Sequence, residues 1–535
     1  MNVAWDARTA HEIGVEWLLA EIAPAGDFGR RERDRERTYA PGDEALATSA
    51  LARIAALAQT CDPSQLAAAH AAIAGAPDPS GAFVRARGGS VLEDVEFFDV
   101  ARFIDAVATT AGFMPEPEAA ALAPGNAVNA LARALALGRG AERSFYLADA
   151  YDPKLGAARR RSADARAAYD AERERLRAFV ASYAGVAHVR DGEFTLARSD
   201  LRGPVPAEIR IVREASTYVL CEIANDAAAL DALATLERES DAVAASEDAV
   251  RARLSHLVRE AAPALDALAV AIGRLDLTLA RVRYVQRYGC IVPDVCEDAA
   301  IAFEDGRYLP LAAALGARGR SYVPISLDVR GVGIVAGANM GGKTAALRTL
   351  GFLTASVALG VPVPAARARV PLVSRIAWLG IGGSIDEASL LSAYGSEVVA
   401  LRDYLARDRG RALVLIDEFA RTTSPREGRA LLVALVGELA RRGAFGLAAT
   451  HFAGVARAAG APHYAIGGHG PLVAAGTALD LPAALERIAA RTDYRVFRVA
   501  VDAPPSADAL ELAAALGLDA ALIARAREAL ADDRG

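Results

Sequence analysis

Asp417 and Glu418 follow the apolar run Ala412-Leu413-Val414-Leu415-Ile416, so two acids stand at the end of what reads as a buried strand. Carboxylates in such a place need a partner that offsets their desolvation. Upstream, Val332–Ala336 reads as another buried strand. It runs into Gly337-Ala338-Asn339-Met340-Gly341-Gly342-Lys343-Thr344 and then into the helix-like AALRTLGFLTA. Strand, G-x-x-x-x-G-K-T and helix in that order are the context of a phosphate-binding loop. Gly337 and Gly342 let the backbone wrap closely, so that its N–H groups and the helix N-terminus face phosphate oxygens. Lys343 brings a compact positive charge to the β and γ phosphates, and Thr344 offers a hydroxyl to Mg²⁺. In such folds the acid ending a second strand holds the Mg²⁺ shell and the next one polarises the attacking water. Asp417 and Glu418 fit those roles. A third strand, Phe445–Ala449, leads to Thr450-His451, where a histidine can sense the γ-phosphate. ATP and Mg²⁺ are the expected cofactors.

These residues need a scaffold. From about residue 284, short apolar runs punctuated by glycine alternate with helical stretches, the texture of an α/β domain with a largely parallel sheet. It closes in an Ala- and Leu-rich helical segment broken at Gly517. The first 150 or so residues read as mostly helical, and their charged run 30–37 (RRERDRER) as a solvated face. Two later segments carry heptad spacing: Tyr169, Leu176 and Tyr183 with Phe179 between, and Leu236, Val243, Val250 and Leu257 with Leu233 and Leu254. Charges fill the other faces, so these are narrow apolar seams on long helices. Between them, residues 188–200 and 208–221 alternate and are rich in Val, Ile, Thr and Tyr, the pattern of short strands. Two helical arms bearing a small β tip follow, with Pro263 expected to interrupt the second arm.

The bulk composition sets limits. A chain of 535 residues is long enough for roughly three or four domains. Its net charge of −7 gives no overall nucleic-acid footprint, which leaves only local basic faces. The cysteines Cys61, Cys221, Cys290 and Cys296 make no disulfide framework and read as small core hydrophobes. The N-terminus lacks the basic-then-apolar pattern of a signal peptide, and no apolar run is long enough to span a membrane. A cytoplasmic protein without membrane partners is expected.

The motifs also resemble a known family. GANMGGKT is similar to the G-P-N-M-G-G-K-S loop of the MutS family of DNA mismatch-repair ATPases. DEFARTTSPREG resembles that family's D-E-L-G-R-G-T-S-T-x-D-G, with Asp417, Glu418, Arg421, Thr423, Ser424 and Gly428 in register. Thr450-His451-Phe452 looks like its A-T-H-Y. GIGGSIDEASLLSAYGSEV resembles R-I-G-A-S-D-D-L-A-S-G-Q-S-T-F-M-V-E-M, placing Ser384, Asp386, Ala388, Ser389, Ser392 and Glu397 on matching positions. In the family the serine matching Ser392 reaches the γ-phosphate bound by the opposite subunit, so the resemblance implies a homodimer with two composite ATP sites. It also implies that the arms are lever helices and the β tip a clamp. The expected architecture is a P-loop (ABC-type) α/β ATPase domain joined to a mostly α-helical core and lever region with a small β clamp tip. Its expected parts are an N-terminal helical segment (1–90), the helical core with its arms and tip (91–283, tip about 187–222), and the ATPase domain with closing dimerisation helices (284–535).

Departures from the family pattern bear on the partner. No Phe-x-Glu occurs, so the aromatic wedge of a mismatch reader is absent from this sequence. The tip's basic residues, Arg190, Arg198, Arg202, Arg210 and Arg213, come with acids beside them. Ala420 and Thr422 replace glycines, and Pro425 replaces a threonine. The sequence carries no match to a nuclease-like small C-terminal domain, so a place outside the recombination-suppressing branch of the family is expected. Two readings remain. One is an ATP-gated clamp that binds DNA by backbone and shape. The other is an ATP-dependent reactivase acting on a protein client, because a shortened MutS-like group with a Thr-Thr-x-Pro loop is associated with adenosylcobalamin-dependent aminomutases.

Overall fold

The computed structural model describes residues 4–138, 144–186, 189, 192–201, 203–336, 342–380, 393–407, 410–469, 484, 486, 488, 491–501 and 509–532. The N-terminal stretch folds into α1 (Ala7–Glu12), α2 (Val15–Glu21), α3 (Asp27–Arg35), α4 (Glu44–Thr60) and α5 (Pro63–Ala74). Four further short or medium helices follow: α6 (Ser80–Arg87), α7 (Asp94–Gly112), α8 (Glu118–Ala121) and α9 (Asn126–Ala136). The long helix α10 (Pro153–Ala184) leads into β1 (Glu193–Ala197), β2 (Ile209–Glu214) and β3 (Tyr218–Ile223), and α11 (Ala227–Tyr288) comes next. The remainder runs β4 (Asp294–Cys296), β5 (Ala300–Gly306), α12 (Leu309–Gly316), β6 (Ile325–Arg330), β7 (Val332–Ala336), α13 (Lys343–Ala358), β8 (Arg367–Pro371) and β9 (Arg375–Gly380). It ends with α14 (Ala393–Arg407), β10 (Ala412–Asp417), α15 (Pro425–Arg441), β11 (Phe445–Ala449), α16 (Val455–Ala459), β12 (His463–His469), β13 (Thr492–Val499), α17 (Ala509–Ala515) and α18 (Ala520–Asp532). Among the described residues no helix is long and apolar enough to cross a membrane.

The chain divides into two compact units. One comprises residues 1–74, 113–118 and 272–535, the other residues 75–112 and 119–271. In the first, a six-stranded sheet has the order β13-β12-β7-β11-β10-β9, parallel except for β13. Strand β10 is buried along Ala412–Ile416, as a central parallel strand covered on both faces must be. A four-stranded sheet, β4-β8-β5-β6, lies in the same unit. One continuous core joins both sheets to the N-terminal helices, bringing Trp5, Ile13, Val15 and Leu18 against Leu350, Phe352, Trp378 and Leu415. The charged run 30–37 is less solvated than its composition predicts. Glu36 accepts from Arg281 at 2.6 Å and Glu32 from Arg274 at 3.4 Å, so one of its faces turns inward.

In the second unit the two heptad segments are the helices α10 and the N-terminal part of α11, paired antiparallel. Arg159–Glu247, Arg161–Glu239 and Arg175–Asp226 link them along their length. Helix α10 opens with Asp152 accepting from the Lys154 N–H and Pro153 in its first turn, and closes on left-handed Gly185. Leu236, Val250 and Leu254 are buried as the seam requires. Phe179 is not. It is 43% exposed while Val180 takes the buried place, because a straight helix follows a 3.6-residue period rather than 3.5. Pro263 does not interrupt α11 either. It removes one backbone donor, but Ala261, Ala262 and Leu265 are wholly buried around it, and that packing holds the helix through the gap. The tip is a three-stranded antiparallel sheet, β1-β3-β2, in which β2 and β3 pair as a hairpin. Its core is Leu196, Ile209, Val219 and Cys221 packed on Leu176 and Val180 of α10.

Candidate functional site

The C-terminal ends of β7, β11 and β10 lie side by side in the six-stranded sheet, with β11 in the middle. Gly342 caps α13 with φ +100°, a conformation glycine adopts without steric cost. Residues Gly337, Ala338, Asn339, Met340 and Gly341 lie outside the described residues. Lys343 begins the helix and is buried, which lowers its pKa, while Glu418 and Asp417 act in the opposite direction. The Thr344 hydroxyl donates to Asp417 Oδ2 at 3.0 Å. Burial raises the Asp417 carboxyl, the Thr344 hydrogen bond works against that shift, and the neighbouring Glu418 adds to it.

Glu418 leaves the strand in a left-handed conformation, φ +53°, with its N–H bonded to the Ala449 carbonyl at 3.0 Å. That turn directs its carboxylate to two donors. His451 Nε2 donates to Oε1 at 2.5 Å and Arg421 to Oε2 at 2.7 Å. Burial alone would push the Glu418 carboxyl up, but the His451 and Arg421 bonds outweigh it and hold the group below its ordinary range. An acid kept ionised beside a buried lysine suits a residue that orients water. Thr344 and Asp417 offer the hard oxygen donors that Mg²⁺ prefers, with room in its shell for phosphate and water. Among the described residues no cluster of three or more His, Cys, Asp or Glu could hold a metal ion by itself.

The rest of the loop is folded around this pair. Ala420, also left-handed at φ +61°, donates its N–H to Glu397 Oε2 at 2.9 Å. Ser424 caps α15: its hydroxyl bonds Glu427 Oε2 at 2.8 Å and accepts from the Glu427 N–H at 3.3 Å, with Pro425 in the first turn. A side chain on Gly428 would meet Phe452 at 2.7 Å and the Ala420 carbonyl at 2.9 Å, so the loop closes only over glycine there.

Thus the structure brings together Lys343, Thr344, Asp417, Glu418 and His451. Ser392, with Ser384, Asp386, Ala388 and Ser389, lies outside the described residues. Sequence reasoning missed Tyr494, whose ring stands 3.3 Å from the position a Cβ on Gly342 would take. It also missed the bond between Glu12 and Arg348, 2.7 Å long, one turn after Thr344. Neither carries a local signal, because each partner comes from a distant part of the chain.

Comparison with known proteins matches residues 333–469 to the family model MutS domain V. Proteins named Endonuclease MutS2 are similar over longer spans. That of Anaeromyxobacter sp. is 30% identical over 99% of this chain and 65% of its own length. That of Symbiobacterium thermophilum is 27% identical over 68% of this chain and 44% of its own length. That of Solidesulfovibrio magneticus is 32% identical over 48% of this chain and 33% of its own length. The chain therefore spans less than two thirds of the length of these relatives. Their names sit poorly with the expected distance from a nuclease-bearing branch.

Proposed function

Because the chain belongs to the MutS family, we propose that it is a Mg²⁺-dependent ATPase working as a homodimeric conformational switch with DNA as its partner. The observation that carries the ATPase reading is the Thr344–Asp417 hydrogen bond beside the Glu418–His451 pair. Bound Mg²⁺ would neutralise developing charge on the phosphate oxygens. Lys343 and the loop N–H groups bind the phosphates, and Thr344 with Asp417 holds the metal. Glu418, kept ionised by Arg421 and His451, orients the water for in-line attack, and His451 carries the state of the γ-phosphate to that acid. Ser392 completes the site of the opposite subunit. The product is ADP and phosphate, and the arms pass the change to the tip.

Glu418→Gln is expected to retain ATP and lose turnover by about 10²–10⁴-fold, and Lys343→Ala to lose nucleotide binding. Wild-type hydrolysis in both variants would refute the assignment. DNA binding is tested with homoduplex, mismatched and four-way DNA across a salt series. A clamp gripping phosphates loses affinity steeply with salt and responds to ATP.

A second reading, remodelling of a protein client such as a cobalamin-dependent aminomutase, draws on the tip. There Arg198 pairs with Glu214 at 2.5 Å and Arg210 with Glu222, so both cations are engaged within the sheet. Absence of DNA binding at low salt would favour this second partner.

A further inference from the structure

Strand β9 is the edge of the six-stranded sheet, and its outward backbone groups belong at alternate residues. The N-terminal segment takes them one after another. The Ile376 N–H donates to the Ala4 carbonyl at 2.7 Å, the Trp378 N–H to the Thr9 hydroxyl at 3.1 Å, and the Arg8 guanidinium donates to the Gly380 carbonyl. Thr9 is itself held by Asp6, which caps α1 and accepts the Thr9 N–H at 2.7 Å. Residues 4–9 thus act as a seventh strand made of one carbonyl, one hydroxyl and one guanidinium.

The last of these contacts reaches the candidate site. Gly380 is in register with Asp417, and a side chain on Gly380 would collide with the Asp417 carbonyl at 1.9 Å. The same guanidinium lies within electrostatic reach of Glu397, whose carboxylate accepts the Ala420 N–H next to Glu418. Arg8 Nε and Glu397 Oε1 are both buried without a hydrogen-bond partner among the described residues, so each keeps bonding capacity in reserve. Further along α1, Glu12 holds Arg348 on the P-loop helix, and Ile13 leaves no room for a side chain on Gly351.

From this geometry we infer that Arg8 is a positioning residue of the ATPase site, fixing the Gly380 end of β9 beside Asp417 and biasing the Glu397 carboxylate that holds the turn carrying Glu418. The inference rests on the ATPase reading above. Its consequence is that the first helix is part of the hydrolytic machinery, although it supplies none of Lys343, Thr344, Asp417 and Glu418.

The test is steady-state ATP hydrolysis by full-length protein. Arg8→Gln keeps a donor for the Gly380 carbonyl but removes the charge. Its kcat is expected to fall about ten- to a hundredfold with KM within about twofold, and Arg8→Lys should recover most of the loss. Glu397→Gln should lower kcat similarly, with the double variant no worse than the worse single one, because the two residues act in one chain. Folding of each variant is checked by its melting temperature, and Glu397→Gln carries the test if Arg8→Gln does not fold. Wild-type kcat in a folded Arg8→Gln or Glu397→Gln protein would overturn the inference alone. A wild-type protein that neither binds nor hydrolyses ATP would overturn the ATPase reading with it.

Discussion

Ala420 holds a left-handed backbone, φ +61°, where the family motif it resembles has glycine, and two opposing effects decide what that costs. An L-residue there costs about 1–2 kcal/mol, but its methyl group is wholly buried and glycine would add chain entropy and a small void. Ala420→Gly is therefore expected to change unfolding stability by less than about 1 kcal/mol, read from denaturant midpoints. Gly428→Ala has no such compensation and should destabilise by about 1–3 kcal/mol, since its Cβ meets Phe452 and the Ala420 carbonyl. Asp276 supplies a pH test. It accepts the N–H groups of Ala25 and Gly26 at 2.9 and 2.8 Å, at the start of α3, yet burial outweighs these bonds and raises its carboxyl. A raised folded value means the native state binds the proton more tightly than the unfolded chain. Its stabilising share is therefore complete below the ordinary aspartate range and is lost as pH rises through the folded value. Relative to Asp276→Asn, the wild type should lose melting temperature as pH increases through that window. Residues such as Asp417, Glu418 and Lys343 were legible in the sequence because chemistry fixes their spacing. Asp276 was not, because nothing local distinguishes a buried acid on a helix from an exposed one.

At the scale of elements, local signals predicted what local physics controls. The arms followed from heptads, and the strands around the candidate site from apolar runs ending in glycine or acid. Ser424-Pro425 proved to be a helix start, and Ser424→Ala should cost about 1 kcal/mol of stability in thermal melts without touching Glu418. Where the reading went wrong, either tertiary packing or the true helical period had overruled the rule applied. Pro263 stays within α11 because buried neighbours hold it, and Phe179 faces outward because the helix does not keep the heptad register.

At the scale of the molecule, the composite ATP sites proposed above make a specific demand. Lys343→Ala protein retains Ser392, and Ser392→Ala protein retains Lys343, so on that proposal a mixed dimer would contain one complete site. Mixing two variants that are each weakly active should restore hydrolysis, with the gain set by the mixed-dimer fraction. Mixing that yields only the average of the two would argue against sharing across subunits. The N-terminal helices read as a separate segment in the sequence because their contacts cross the whole chain. Arg8 and Gly380 are 372 residues apart, and no periodicity links them.

That separation also has a consequence in time. A ribosome adding about 5–20 residues per second releases Ala4 and Arg8 roughly 20–75 s before β9 emerges. During that interval the N-terminal segment has no sheet to join, and its Trp5, Ile13 and Leu18 need temporary shelter. The N-terminal segment must wait for β9, the second strand of the six-stranded sheet to be made, before it can dock. A newly made chain with a bulky extension at its N-terminus is the one most exposed to stalling at that step, with β9 open to pairing with the edge of another chain.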